Sequence, residues 1–517
     1  MTTETDYDVL VAGAGPVGLM LATELRLAGV RVLVVERRTE PDPAGKAGAI
    51  NTASAEAFER RGLLAALRAR EVTMKAGAAA GPPGERRRPS SVGHFGGIQV
   101  PAAPVDADDP TLRGRGPAWY VQVPQIEVER VLGQRAAELG VEVRRGVEVL
   151  GFDAAEAGVT VHLHGGDDVQ VGWLVGCDGG RSTVRAHAGF EFPGTDPTIT
   201  FRQSEGTVQG AERLGRDWQY TPTGVYVYGP VPGRVRTVEL DGPPADRDAP
   251  LTAAEMEASL RRVSGVDVRV AEVTSGTRFT DNARQATTYR RGRVLLCGDA
   301  AHVHSPFSGQ GLNLGIGDAV NLGWKLAATV RGWAPEGLLD TYTSERHPIG
   351  AWVLDWTRAQ VAVMRGDAYS SALRGVVADF LGTPDGATYY VQRISGLWQR
   401  YDLGNGHPLV GATMPDLRLD DGTRLSDHTR DGRTLLVDLA GDDRLAGAAA
   451  PYAGRAQLVR GRCDAADGAG VTGLLVRPDG FVAWASGDGA VDLSGLEAAL
   501  ERWLGAEGQS AGAIRCG

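Results

Sequence analysis

The stretch GDAAHVHSPFSGQGLN, residues 298–313, combines the residue types of a cofactor site. An apolar run, RVLLC, ends in Gly298-Asp299, and a carboxylate at a strand end can accept hydrogen bonds from sugar-like hydroxyls. Ala300 and Ala301 leave room beside it. Gly309 and Gly311 lack a Cβ and allow a flat group to approach the backbone. His302 and His304 raise the alternative of a metal. They stand two apart with no matching cysteine or carboxylate cluster, so metal binding is the weaker reading. His302 reads as structural, and His304 as structural or as a pocket wall.

A second glycine cluster sits near the N-terminus. Gly13-Ala14-Gly15-Pro16-Val17-Gly18 matches G-x-G-x-x-G, with a buried-type run before it, a helical pattern after it and a further strand, VRVLVVE, beyond. Gly13 permits the tight turn, Gly15 lets a pyrophosphate reach the N–H groups of the helix N-terminus, and Gly18 lets helix and strand lie close. Glu36, followed by Arg37, ends the second strand 23 residues after Gly13. Its carboxylate can bind ribose hydroxyls and favours FAD or NAD. This motif alone does not separate the two. The same pattern at 468–473 precedes a strand and opens no helix, so it reads as a loop.

These residues need a large scaffold. At 517 residues the chain implies two or three domains. Apolar and charged contents of 42% and 23% are those of a globular protein, while 72 glycines are about twice the usual share. A net charge of −10 argues against nonspecific binding to nucleic acid or to an anionic membrane. No apolar run approaches a membrane span, the short acidic N-terminus is no signal peptide, and the four cysteines form no C-x-x-C. A cytoplasmic protein with reduced thiols is expected.

Along the chain, a helix is expected near Ala53–Arg60. Another is expected in QIEVERVLGQRAAEL, followed by a strand. Residues 76–118 read as irregular or edge structure. From about Glu191 to Thr277 the pattern turns to alternating strands, as in TGVYVYGPVPGRVRTVEL. Helical spacing returns after Asp299. Beyond GNGHPLVGATMPD, short strands and a last helix form a small α/β unit.

Three separated motifs carry a resemblance: GAGPVG with Glu36, GCDGGRSTVR at 176–185, and GDAAHVHSPFSGQGLN. Together they resemble the single-component FAD-dependent aromatic hydroxylases of the para-hydroxybenzoate hydroxylase fold, over about residues 5–365. The tail resembles the thioredoxin-like domain of phenol hydroxylase relatives and aromatic polyketide hydroxylases. The implied fold is α/β: a Rossmann-like FAD-binding domain (1–72, 102–190, 278–400), an inserted β-sheet substrate domain (73–101, 191–277), and a thioredoxin-like domain lacking C-x-x-C (401–517). Asp299 is then the ligand of the ribityl chain. Pro306 to Asn313 lies against the isoalloxazine, with N–H groups near Gly311, Leu312 and Asn313 stabilising charge on the reduced ring.

The resemblance also places Asp178 beside the flavin; the plainer reading is a strand-to-helix turn with Asp178 paired to Arg181 or Arg185. Gln125, after Pro124, either reaches the flavin or is a polar helix start. The family commonly has an arginine on the pyrophosphate where this chain has Lys46, which offers charge without a planar fork. Lys46 either takes that role or is solvated. Tyr226 and Tyr228 share one face of their strand, and with Phe307 are candidate substrate contacts. Which face meets the flavin is open.

The function implied is FAD-dependent, NADPH-consuming hydroxylation of an aromatic, polycyclic polyketide substrate with O₂, through a C4a-hydroperoxyflavin. NADPH binds transiently, with NADH as the other donor. No side chain is assigned as catalytic, since the flavin carries the chemistry. A Baeyer–Villiger oxygenase is the close alternative. An NAD-dependent dehydrogenase and a flavin-binding protein without oxygenase activity are the alternatives from other classes. The tail reads as a packing or homodimerisation module.

Overall fold

A computed structural model describes residues 5–42, 47–71, 90–113, 120–229, 233–246, 249–404, 406–463, 470–487 and 491–506. The central sheet is built on parallel strands in the order Val294–Leu296, Asp168–Gly176, Tyr7–Ala12, Val32–Glu36 and Glu142–Arg145. Val9, Leu10, Val11, Leu33 and Val34 are wholly buried, as expected of strands covered on both faces. The first five helices are α1 (Pro16–Leu27), α2 (Thr52–Arg60), α3 (Leu64–Arg68), α4 (Gln125–Glu138) and α5 (Thr183–His187). The two helices expected here, α2 and α4, are present.

The alternating region forms a separate antiparallel sheet in the order Asp217–Thr221, Gly224–Tyr228, Arg234–Glu239, Thr200–Gln209 and Arg269–Phe279. Helix α6 (Ala253–Ser264) covers one face through Met256, Leu260 and Val263. The other, inner face packs on Phe307, Val361 and Met364 of the returning chain. The long helices α7 (Gln310–Val330) and α8 (Thr341–Met364) follow, then α9 (Ala368–Leu381) and α10 (Pro384–Ser395). Within the stretch expected to be irregular, Ser91–Phe95 and Ile98–Pro101 pair as a hairpin. Its apolar residues Phe95, Ile98 and Val100 pack on Val363, Leu381 and Tyr390.

The tail has a four-stranded sheet in the order Ala456–Arg460, Thr434–Asp438, Gly473–Val476 and Val482–Ser486, with α11 (Asp443–Ala449) and α12 (Leu493–Leu504) against it. In the loop after its first strand, Asp438 Oδ1 accepts hydrogen bonds from Ala440, Gly441 and Asp442 N–H. The turn between its last two strands reaches into the FAD-binding region. Arg477 there bridges Asp479 and Glu345 of α8, and Glu345 also accepts from Lys325 of α7 at 2.7 Å. Arg61, paired with Glu24, donates to the carbonyls of Thr429 and Pro478. All six of these charged side chains are buried.

Candidate active site

The first glycine turn has the geometry its motif requires. Gly13 sits at φ +108°, and a Cβ there would meet the Cys177 carbonyl oxygen at 2.4 Å. A Cβ on Gly18 would lie 2.0 Å from the Gly13 oxygen, so strand and helix touch through it. Gly15, the residue before α1, faces open space, and no side chain caps the helix. Its free N–H groups and positive dipole end form an anion site. Pro16 occupies the first turn, where a missing N–H costs nothing. Val17 packs where Cβ atoms on Gly298 and Gly315 would touch it, joining α1 to the second glycine stretch.

Beside the turn lies a cavity of about 190 Å³ lined by Gly13, Gly15, Glu36, Arg37, Gln125 and Asp178, among others. Glu36 accepts from Ala14 N–H and Arg38 N–H, both at 2.9 Å, which fixes its carboxylate at the rim. Gln125 starts α4; its N–H donates to the Ala47 carbonyl, and its side chain donates to Glu129 at 2.9 Å. Asp178 Oδ2 accepts from Val184 N–H at 3.1 Å, and burial pushes its carboxyl up despite that bond. Of the two arginines weighed as partners of Asp178, Arg185 instead donates to the carbonyls of Ala300 and Gly180. Lys46 lies outside the described residues.

The second stretch forms another wall. Asp299 is exposed at the end of its strand. A Cβ on Gly311 would lie 3.5 Å from the His304 ring and 3.8 Å from the Asp299 carboxylate, so these three are neighbours. Gly309, at φ +59°, precedes α7 and opens onto empty space, with no side-chain cap. The N–H groups of Gly311 and Leu312 therefore stay available in the first turn. The Asn313 side chain is engaged: it accepts from Asn51 N–H and donates to the Gly309 carbonyl, both at 2.8 Å. It shapes the turn. His304 Nδ1 bonds the Ser305 carbonyl, and burial lowers its basicity. Pro306 leads into Phe307, which is buried.

His302 is structural. Its Nε2 bonds Asp318 Oδ2 at 2.7 Å, and that oxygen also accepts from Gly298 N–H at 3.2 Å. Arg346 of α8 holds the other Asp318 oxygen at 2.8 Å. Burial opposes charge on Asp318, but Arg346 and His302 outweigh it and hold the carboxyl below its ordinary range. This buried trio ties the Gly298-Asp299 turn to α7 and α8. The sequence reading missed Asp318 and Arg346, because nothing local marks their pairing. Among the described residues there is no group of three or more His, Cys, Asp or Glu side chains suited to a metal.

The candidate tyrosines need correcting. Tyr226 and Tyr228 do share a face, but it is the one covered by α6. The Tyr226 hydroxyl accepts from Gly215 N–H at 3.0 Å. The opposite face carries Trp218, Val227, Arg236 and Gln203 in one cross-strand row, and Tyr220, Val225, Val238, Phe201 and Phe279 in the next. Phe307 stands edge-on to Phe201 at 5.8 Å between centroids and 6.5 Å from Trp218. Aromatic residues of the sheet thus meet the glycine stretch at Phe307.

FAD fits these residues. An uncapped helix start faces open space at Gly15, a fixed carboxylate stands at the cavity rim, and a second uncapped helix start lies beside Asp299. Residues 6–357 match the family model of the FAD binding domain, and residues 407–507 that of the aromatic-ring hydroxylase C-terminal domain. The chain belongs to the FAD-dependent aromatic-ring hydroxylase family, as the three motifs implied. It is similar to a 12-dehydrotetracycline 5-monooxygenase/anhydrotetracycline 6-monooxygenase of Streptomyces rimosus, 40% identical over 96% of this chain and 99% of that one. The solved structure of the anhydrotetracycline hydroxylase OxyS from Streptomyces rimosus superposes with a TM-score of 0.86, at 39% identity over 97% of this chain and 99% of that one. A dialkyldecalin synthase of Streptomyces rugosporus is 38% identical over 96% of this chain and 98% of its own length.

Proposed function

We propose that this protein is an FAD-dependent, NADPH-consuming monooxygenase that hydroxylates a polycyclic aromatic small molecule. The observation that carries the reading is the meeting of two surfaces: the uncapped start of α7, open at Gly309, and the aromatic inner face around Trp218, Phe201 and Phe307. One suits a flavin ring, the other a flat substrate. Bound FAD would supply hydride acceptance from NADPH and activation of O₂.

The chain's own residues do the rest. The start of α1, with Glu36, holds the pyrophosphate and ribose, and Asp299 accepts from the ribityl hydroxyls. The N–H groups of Gly311 and Leu312 face charge developing on the reduced ring. Phe307 and the inner sheet face keep water from the reacting carbon. NADPH reaches the flavin transiently, with NADH as the weaker donor. The kinship with tetracycline-pathway monooxygenases makes an aromatic polyketide the substrate class to try first.

The dialkyldecalin synthase among the relatives favours a second reading, a flavoprotein that shapes its substrate without oxidising it. Purified protein should be yellow, and anhydrotetracycline is a fitting first trial substrate. NADPH oxidation stimulated by the substrate, with a product heavier by one oxygen atom, supports the monooxygenase. Substrate consumption at constant mass and without NADPH oxidation supports the second reading.

A further inference from the structure

Arg236 stands in the middle of the inner face, in the row with Trp218, Val227 and Gln203. It is largely shielded from solvent, yet its only hydrogen-bond partner among the described residues is the Gln203 side chain, whose oxygen accepts from Nε at 2.8 Å. Arg236 makes no ion pair among the described residues. The neighbouring acid, Glu205, is taken by Arg234 through Nε and Nη2. Burial, then Arg234, lowers the Arg236 guanidinium to about 10, so it remains a cation at neutral pH.

A largely shielded cation whose neighbouring acid is engaged by another arginine is costly, and folds keep one where a ligand supplies the charge. The planar fork of arginine matches an oxyanion through two parallel N–H bonds. The surroundings fit an aromatic anion. The His94 ring lies 4.5 Å from Trp218 between centroids, and burial together with Arg236 pushes it down to about 4, so it is neutral. His94 Nδ1 accepts from Gly97 N–H, which places the ring proton on Nε2.

We propose that Arg236 anchors an anionic oxygen of the aromatic substrate, a phenolate, enolate or carboxylate, while the substrate's rings lie against Trp218 and Phe307. The inference rests on the monooxygenase reading and adds to it that the substrate is acidic. Arg236 then sets which edge of the substrate turns away from the flavin, and so contributes to regiochemistry.

The test uses flavin-replete protein at pH 7.5 and two probes, 2-hydroxy-1,4-naphthoquinone, an acidic enol, and its neutral methyl ether. Equilibrium dialysis measures both affinities. Wild-type protein should prefer the enolate by about 10-fold or more, the order expected of a charge-assisted bond. Arg236→Met should lose that preference while binding the ether within about twofold of wild type, and Arg236→Lys should restore part of it. Wild-type protein without preference for the enolate overturns the proposal with no variant needed. An equal loss of both probes in Arg236→Met makes the residue structural and overturns it too. Because dialysis needs no turnover, an anion preference without substrate-stimulated NADPH oxidation removes the monooxygenase reading and leaves the anchor. The converse removes only the anchor.

Discussion

At Gly15 the backbone faces open space, so a side chain there occupies the place of the pyrophosphate. Gly15→Val should fold and purify nearly free of flavin, read from the absorbance ratio of flavin to protein; full flavin content would move the site. Asp299→Ala removes an exposed acceptor and should weaken FAD binding by about 10- to 100-fold, the range for a hydrogen bond to a charged group. Titration of the stripped apoprotein with FAD measures it. Asp318→Asn belongs to another class. It leaves Arg346 and His302 without their buried carboxylate, so about 3–5 kcal/mol of stability should go. A melting temperature equal to wild type would show that the trio carries little. The glycines were legible because a tight turn and a close approach restrict one position to one residue type. Asp318 and Arg346 were not, since each has its partner in another element.

Parity of the strand Gly224–Tyr228 was legible, and its facing was not. Alternation puts Tyr226 with Tyr228 and Val225 with Val227, but only the packing of α6 decides which pair faces Phe307. Helix α6 (Ala253–Ser264) lies inside the stretch read as alternating strands and was not anticipated from the sequence. The two faces of the sheet yield a contrast between two aromatic residues on neighbouring strands. Trp218→Ala should raise the substrate KM or Kd by about tenfold or more, because a stacked ring is lost. Tyr226→Phe should leave substrate binding unchanged. It costs only the bond from Gly215 N–H, about 1 kcal/mol of stability. Equal substrate affinity in wild type and Trp218→Ala would place the substrate elsewhere.

Over the whole molecule, the tail is held by charges buried between units, and the sequence offered no sign of it. Lys325 is one of only three lysines in the chain. In the fold it is buried against Glu345, and burial lowers it to about 7 although the carboxylate works against that. Burial opposes charge on Glu345 as well, yet Arg477 and Lys325 hold its carboxyl far below the ordinary range. A carboxylate lowered in the fold stabilises it fully above its unfolded value of about 4.3, and that stabilisation is lost as pH falls toward the folded value. Stability should therefore drop steeply with pH below about 4.3 in wild-type protein. Glu345→Gln should be less stable by about 3–5 kcal/mol at pH 7 and show a flatter acid limb. Denaturant midpoints at several pH values measure both, and an unchanged acid limb would mean that Glu345 contributes little to the lock.

The central claim is that a flavin held between the two glycine stretches oxidises an aromatic substrate lying on the inner face of the inserted sheet. Its most direct measurement is the product mass after incubating flavin-replete protein with NADPH, a phenolic polycyclic substrate and ¹⁸O-labelled O₂. The account predicts one ¹⁸O atom per product molecule and NADPH oxidation that rises severalfold when substrate is added. A product without label, or NADPH oxidation indifferent to substrate, would contradict it.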